Sequence, residues 1–272
     1  MKDGIGEFLS LVCELGEHRA GRAAARAYFD GVFAGVELAG RRVLDIGGGN
    51  GMHSYWAALQ GAREVVCLEP EAAGNPHGAA RELAILRRAM PELPVRFDAR
   101  PIQDFADGEG FDAILMLASI NHLDEQACIE LLEDDAARES YRAIFTRIAA
   151  LARPGATLVI TDCCRHNLFP ALGLTNPFNR SIEWHKHQQP ETWAELLAQA
   201  GFAKARIGWL PLFRFGPLGR RLLSNKLAAY FLKGAFRLSM QLGSPAASFE
   251  PAGGPGASPA ERIAPRAARL AA

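Results

Sequence analysis

Hydrophobic positions along the chain fall into two alternating kinds of run. Short, largely apolar stretches, the pattern of strands buried on both faces, stand at 42–46, 64–68, 111–117 and 156–163, with further short strands at 95–97 and about 203–210. Between them apolar residues recur every three or four positions, as in helices: over 52–60, over about 79–90, and in a long run carrying Tyr141, Ile144, Phe145, Ile148 and Leu151. Glycine and proline mark the joints. Gly61 stops the first of these helices, and a loop holding Gly74, Asn75 and Pro76 leads into the next. Arg153-Pro154-Gly155 ends the long helix, and Pro190-Glu191-Thr192 opens another that closes before Gly201. This alternation predicts an α/β fold with a doubly wound, mostly parallel, Rossmann-like sheet, whose ligands bind at the carboxyl ends of strands. Asp45, Glu69, Ile102, Leu117–His122 and Asp162–His166 fall at those ends.

The flanks follow other patterns. Residues 7–38 are helical, with Phe8, Leu9, Val12 and Leu15 at helical spacing and Tyr28, Phe29 and Phe33 further on. Two readings stand for them: helices packed on the sheet edge, or a lid that brings Tyr28 or a nearby arginine to the ligand. From about 217, leucines and aromatics share a helix-like run with Arg220, Arg221, Lys226, Lys233 and Arg237. That stretch either packs on the domain or lies on a membrane surface as a basic amphipathic helix, a peripheral contact through 217–242. The expected organisation is a helical cap over 1–40, a core over 41–215 with an insert at 164–189, a basic amphipathic C-terminal helix over 216–243, and a disordered tail over 244–272 rich in Pro, Gly, Ala and Ser.

Composition narrows the setting. The chain has 272 residues, with 30 basic and 30 acidic side chains. It is long enough for a full core, and the absence of a basic excess argues against a nucleic-acid partner. Five cysteines without a CxxC pair fit a reducing compartment, and no apolar stretch has signal-peptide or membrane-spanning form, so a cytoplasmic location is expected.

Candidate chemistry concentrates at 43–54. Val43-Leu44 rises to Asp45 and breaks into glycines at 47, 48, 49 and 51 before a helix begins. That arrangement is a tight turn that aims a helix N-terminus at a ligand. A dinucleotide loop, G-x-G-x-x-G/A, needs glycine or alanine at its third place for close helix–strand contact, but Met52 or Ser54 stands there. Asp45 at the strand tip would repel a pyrophosphate and favour an ammonium or sulfonium.

Asp45-x-Gly47-x-Gly49-x-Gly51 resembles the first motif of class I S-adenosylmethionine-dependent methyltransferases, and the resemblance extends over roughly residues 25–210. It implies a sheet of order 3-2-1-4-5-7-6 with an antiparallel seventh strand. Six strands can be placed; the seventh is not located, and 235–242 is a candidate. The resemblance also implies S-adenosyl-L-methionine as cofactor, held by Asp45, Gly47, Gly49 and Gly51 and by Glu69 at its ribose hydroxyls. Ile102 and Gln103 would bracket the adenine, in a place where a carboxylate is common, with Leu117 at the end of the fourth strand. Asn121-His122-Leu123 resembles the family's segment after that strand, with its frequent histidine. A nicotinamide-dependent oxidoreductase and a non-catalytic cofactor-binding or regulatory protein are the competing functions.

Methyl transfer from a sulfonium depends on alignment, and an oxygen acceptor also needs a base. His122 is one candidate base, with a capping role as its alternative. His185 and His187 are the others: they flank Lys186, and an extended segment would point both imidazoles the same way. They serve either as base or clamp for a hydroxylated acceptor, or as surface polar residues around Trp184. With His166 they offer no carboxylate at metal-binding spacing, so no metal is expected. The insert and C-terminal stretch resemble those of methyltransferases acting on glycans or other hydroxylated metabolites, some membrane-attached. O-methylation of a small-molecule or glycan acceptor is the expected activity.

Overall fold

A computed structural model describes residues 2–16, 18, 20–70 and 79–243; the loop at Gly74, Asn75 and Pro76 and the tail 244–272 lie outside them. One seven-stranded sheet runs through the described chain. Its strands are β1 (Arg42–Ile46), β2 (Glu64–Leu68), β3 (Val95–Asp98), β4 (Phe111–Leu117), β5 (Ala152–Cys163), β6 (Phe202–Trp209) and β7 (Ala235–Leu242), in the order β3-β2-β1-β4-β5-β7-β6. The pairs from β3 across to β5 are parallel, whereas β7 runs antiparallel to both β5 and β6. The order reverses between β1 and β4, which opens a crevice at their carboxyl ends.

Alternation along each strand sends side chains to two cores. Leu44, Ile114, Ile160 and Leu238 face one layer, formed by α5 (Glu125–Glu130), α6 (Asp135–Leu151) and α8 (Pro190–Gln199), through Tyr141, Phe145 and Trp193. Val43, Val65, Leu115 and Val159 face the other. There α1 (Lys2–Glu14), α2 (Arg22–Val32), α3 (Met52–Leu59) and α4 (Ala79–Ala89) pack, with Phe29 stacked on Trp56 at 4.7 Å between ring centroids. At the amino ends of the strands, buried Arg42 bonds Glu64 at 2.7 Å and Asp107 at 2.8 Å, closing the sheet far from the crevice.

Two expectations change. The helix after β4 is split into α5 and α6, because Asp124 and Asp134 each accept backbone N–H groups and start a helix of their own. More consequentially, 216–243 is not one amphipathic helix. It forms α9 (Pro217–Leu223), α10 (Lys226–Phe231) and then β7. Ala235, Phe236 and Leu238 fitted a helical spacing with the leucines before them. What prevails is a period of two: Phe236, Leu238 and Met240 are buried on one face while Gln241 is exposed. Insertion between β5 and β6 gives β7 hydrogen-bonding partners on both edges, a gain no local pattern reports. The missing strand is therefore the candidate run 235–242. The insert, without periodicity in sequence, contains only the short α7 (Leu168–Ala171) and a 3₁₀ turn at Trp184–Lys186.

Candidate active site

The glycine turn is fastened from two sides. Gly47 adopts φ 67°, its N–H donates to Leu68 O at 2.7 Å, and a Cβ there would lie 2.5 Å from Ser119 Cβ. The Ser119 hydroxyl donates to Ile46 O at 2.6 Å, so the loop after β4 grips the end of β1. Gly49 also has positive φ, 55°, but for the opposite reason: among the described residues nothing stands within 4 Å of the position a Cβ would take. Its N–H donates to Glu69 Oε2 at 2.8 Å, placing the acid at the tip of β2 against the turn.

Asp45 lies beneath the turn rather than on its surface. It is fully buried, its Oδ2 accepts the Ser54 hydroxyl at 2.7 Å, and its Oδ1 has no partner among the described residues. Burial pushes its carboxyl up to about 6. Leu117 and Ile102 have buried side chains, and Ile102 O accepts from Arg147 Nε at 2.7 Å; Gln103 is exposed and donates to Leu123 O at 3.1 Å, joining the loops after β3 and β4. An open face at Gly49, a carboxylate beside it, and unpartnered buried oxygens of Asp45 and Asn121 suit a ligand that carries hydroxyls and an ammonium. S-adenosyl-L-methionine has those groups, and the residues present fit it.

Next to the turn is a cavity of about 210 Å³ lined by Tyr28, Ala118, Asn121, His122, Asp162 and His187, among others. Ala118 has φ 58°, which a non-glycine residue adopts only when its surroundings impose it; Thr161 O holds its N–H at 2.7 Å. His187 Nδ1 lies 2.9 Å from Asp162 Oδ1, both side chains buried. Asp162 Oδ1 also accepts the Cys163 N–H at 2.7 Å, while its Oδ2 has no partner among the described residues. Burial, then Asp162, pushes the neighbouring Cys163 thiol up to about 12, which removes it as a thiolate near neutral pH.

The three candidate histidines separate. His187 is inside the cavity. His122 is at its rim, largely exposed and 3.4 Å from Glu125. His185 is exposed and does not line the cavity, because the 3₁₀ turn at Trp184–Lys186 replaces the extended segment that would have aligned the two imidazoles. Of the N-terminal helices, α2 packs in the core, and Tyr28 lines the cavity with its hydroxyl 3.0 Å from His53 Nε2. Burial pulls His53 down to about 3, keeping it neutral. Sequence marked Asp162 only as a strand end and gave no signal for Lys233, which lines the same cavity from beyond α10. The sign available for Asp162 was an acid closing the apolar run Leu158-Val159-Ile160.

The strand order, with a glycine turn after β1 at the point where that order reverses, is that of a nucleotide-type α/β fold. The chain belongs to the methyltransferase-domain family, which it matches over residues 17–206. Its fold is that of the class I S-adenosylmethionine-dependent enzymes, as the glycine motif implied. A SAM-dependent methyltransferase from Mesorhizobium loti superposes with a TM-score of 0.54 at 17% identity, covering 80% of this chain and 98% of that one. One from Aquifex aeolicus gives 0.53 at 12% identity, covering 79% and 89%. Among curated proteins the chain is similar to tRNA U34 carboxymethyltransferases. It is 35% identical to the Pseudomonas aeruginosa protein over 88 residues, 32% of this chain and 26% of that one. To the Methylococcus capsulatus protein it is 26% identical over 174 residues, 62% of this chain and 47% of that one. The chain thus spans less than half the length of the curated relatives it matches.

Proposed function

We propose that the protein transfers a methyl group to a hydroxyl oxygen of a small-molecule or glycan acceptor held in the cavity beside β4 and β5, with His187 as general base. The observation that carries this reading is the buried His187–Asp162 pair at 2.9 Å on the cavity wall. S-adenosyl-L-methionine, when bound, supplies an activated methyl group on a sulfonium with a neutral leaving group. Gly47, Gly49 and Glu69 would hold it. Asp162 accepts a hydrogen bond from His187 Nδ1–H, fixing the tautomer in which Nε2 is free to take the acceptor's hydroxyl proton and supporting the imidazolium that results. Asn121 and Tyr28 present polar groups that orient the acceptor, and His122 guards the rim. With alignment supplying much of the acceleration, loss of the base costs less than loss of the cavity's shape.

The test is S-adenosylhomocysteine release over a panel of hydroxylated and amine acceptors, followed by variants on the best one. His187→Gln and Asp162→Asn should lower kcat by ~10²–10⁴-fold with S-adenosylhomocysteine affinity kept, while His185→Ala changes neither. Unaltered kcat in both cavity variants would remove the histidine mechanism.

A second reading draws support from the curated relatives, whose name specifies tRNA U34 and a carboxymethyl group. Bulk tRNA in the same assay, read by mass as methyl or carboxymethyl addition, separates it from the first.

A further inference from the structure

The even charge balance conceals a segregation. From Leu196 to Gly243 the chain holds eight lysines and arginines and no aspartate or glutamate. Among the described residues the same stretch carries most of the large apolar side chains left in solvent. Leu218 and Leu222 on α9 are 72% and 64% exposed, and Leu227 and Phe231 on α10 are 69% and 45% exposed. Leu172 and Leu174, 62% and 56% exposed, join them, because their loop is tied to the end of α10. Asn167 Nδ2 donates to Leu232 O at 3.0 Å and Asn176 Nδ2 to the same oxygen at 2.6 Å. Scattered single apolar residues on a surface need no explanation, but five leucines and a phenylalanine on adjoining elements flanked by Arg220 and Arg221 do.

We propose that α9, α10 and the 171–174 loop form a docking face for an anionic bilayer surface. Charge complementarity selects the occupant. A second copy of the chain meeting this face by two-fold symmetry would set one basic face against another, with no acid on α9 or α10 to pair with Arg220 and Arg221. A nucleic acid would match the charge but gives nothing to exposed leucines, which neither stack on bases nor bond phosphates. An interface of anionic headgroups over hydrocarbon meets both requirements at once. The mode is peripheral, since no helix among the described residues is long and apolar enough to cross a membrane. The face is also smaller than the sequence suggested: β7 sits between β5 and β6, so 235–242 takes no part.

A second cavity agrees with this occupant. It measures about 490 Å³, lies against α10, and is lined by Trp209, Leu227, Tyr230 and Lys226 with His166 and Cys164. Aromatic and aliphatic walls suit an acyl chain, with Lys226 on the lining held by Glu191 at 2.9 Å. Lys233, two residues beyond α10, reaches the acceptor cavity, so the docking face and that cavity share one segment. Docking itself does not depend on the methyl-transfer reading.

The experiment is co-flotation of the full chain with phosphatidylcholine vesicles, alone or with about 30 mol% phosphatidylglycerol, at low and physiological salt. Binding to the anionic vesicles should exceed binding to neutral ones by ~10-fold or more and weaken with salt. Leu218→Ser combined with Leu222→Ser and Leu227→Ser should abolish it, and Arg220→Gln with Arg221→Gln should reduce it by ~10-fold or more. Unchanged S-adenosylhomocysteine affinity shows that the variants remain folded. Equal binding to both vesicle types, or full binding by the leucine variant, overturns the proposal. So does tRNA binding that needs the arginines but not the leucines, without vesicle binding. A dimer in light scattering that the leucine variant loses, again without vesicle binding, overturns it as well.

Discussion

Gly47 and Gly49 have nearly the same backbone conformation and opposite surroundings, so alanine at each should separate folding from binding. Both sit in the left-handed region, where a Cβ costs ~1–2 kcal/mol. At Gly47 the added carbon would lie 2.5 Å from Ser119 Cβ, and that neighbour is fixed by its hydrogen bond to Ile46 O. Overpacking of this kind adds ~1–3 kcal/mol, so Gly47→Ala should lose ~2–5 kcal/mol in all. At Gly49 the described residues leave the space free, and only the conformational cost of ~1–2 kcal/mol applies. The space is free because it faces the crevice, so the same methyl group should weaken cofactor binding by ~10-fold or more. Urea unfolding at constant m gives the stabilities, and calorimetry with S-adenosylhomocysteine gives the affinities. Equal destabilisation by the two variants, or wild-type affinity in Gly49→Ala, would refute the reasoning.

Three further outcomes follow from the site and the sheet. Asp45 titrates near 6 when folded against 3.8 for an ordinary aspartate, so the folded state holds its proton more tightly. Stability from this group is full below about 4 and is lost as pH rises to about 6, worth about 3 kcal/mol at 1.36 kcal/mol per unit; Asp45→Asn should flatten that part of a stability–pH profile. Asp98 and Asp107, whose carboxyls ion pairs hold low, act in the opposite sense and only below about 4, so the two windows are distinct. Arg42→Ala leaves Asp107 and Glu64 without their buried partner and should cost ~3–5 kcal/mol in chemical unfolding, with cofactor affinity unchanged because the network lies at the far end of the strands. Glu69→Ala should weaken S-adenosylhomocysteine binding by ~10–100-fold, the loss of charge-assisted hydrogen bonds at the turn, and calorimetry showing no change would detach Glu69 from the cofactor.

Much of this was legible because it is encoded locally. Six of the strands and the helices between them follow from apolar runs and a period of 3.6 closed by glycine and proline, and these need no knowledge of distant residues. The cofactor turn is local too: an acid, three spaced glycines and a helix start within ten residues, and Glu69 is found by walking to the next strand end. Tertiary structure decided the rest. Asp162 and His187 stand 25 residues apart, and only the fold of the insert after β5 turns one toward the other while a single 3₁₀ turn points His185 away. The run 235–242 carries apolar residues that suit either period, and the open edges of β5 and β6 settle it as a strand. What remained after β7 was taken into the sheet was a pair of short helices whose leucines are left exposed by the described residues. Local sequence sets which residues can form an element; which edge, cavity or solvent face that element then meets depends on contacts between segments far apart in the chain.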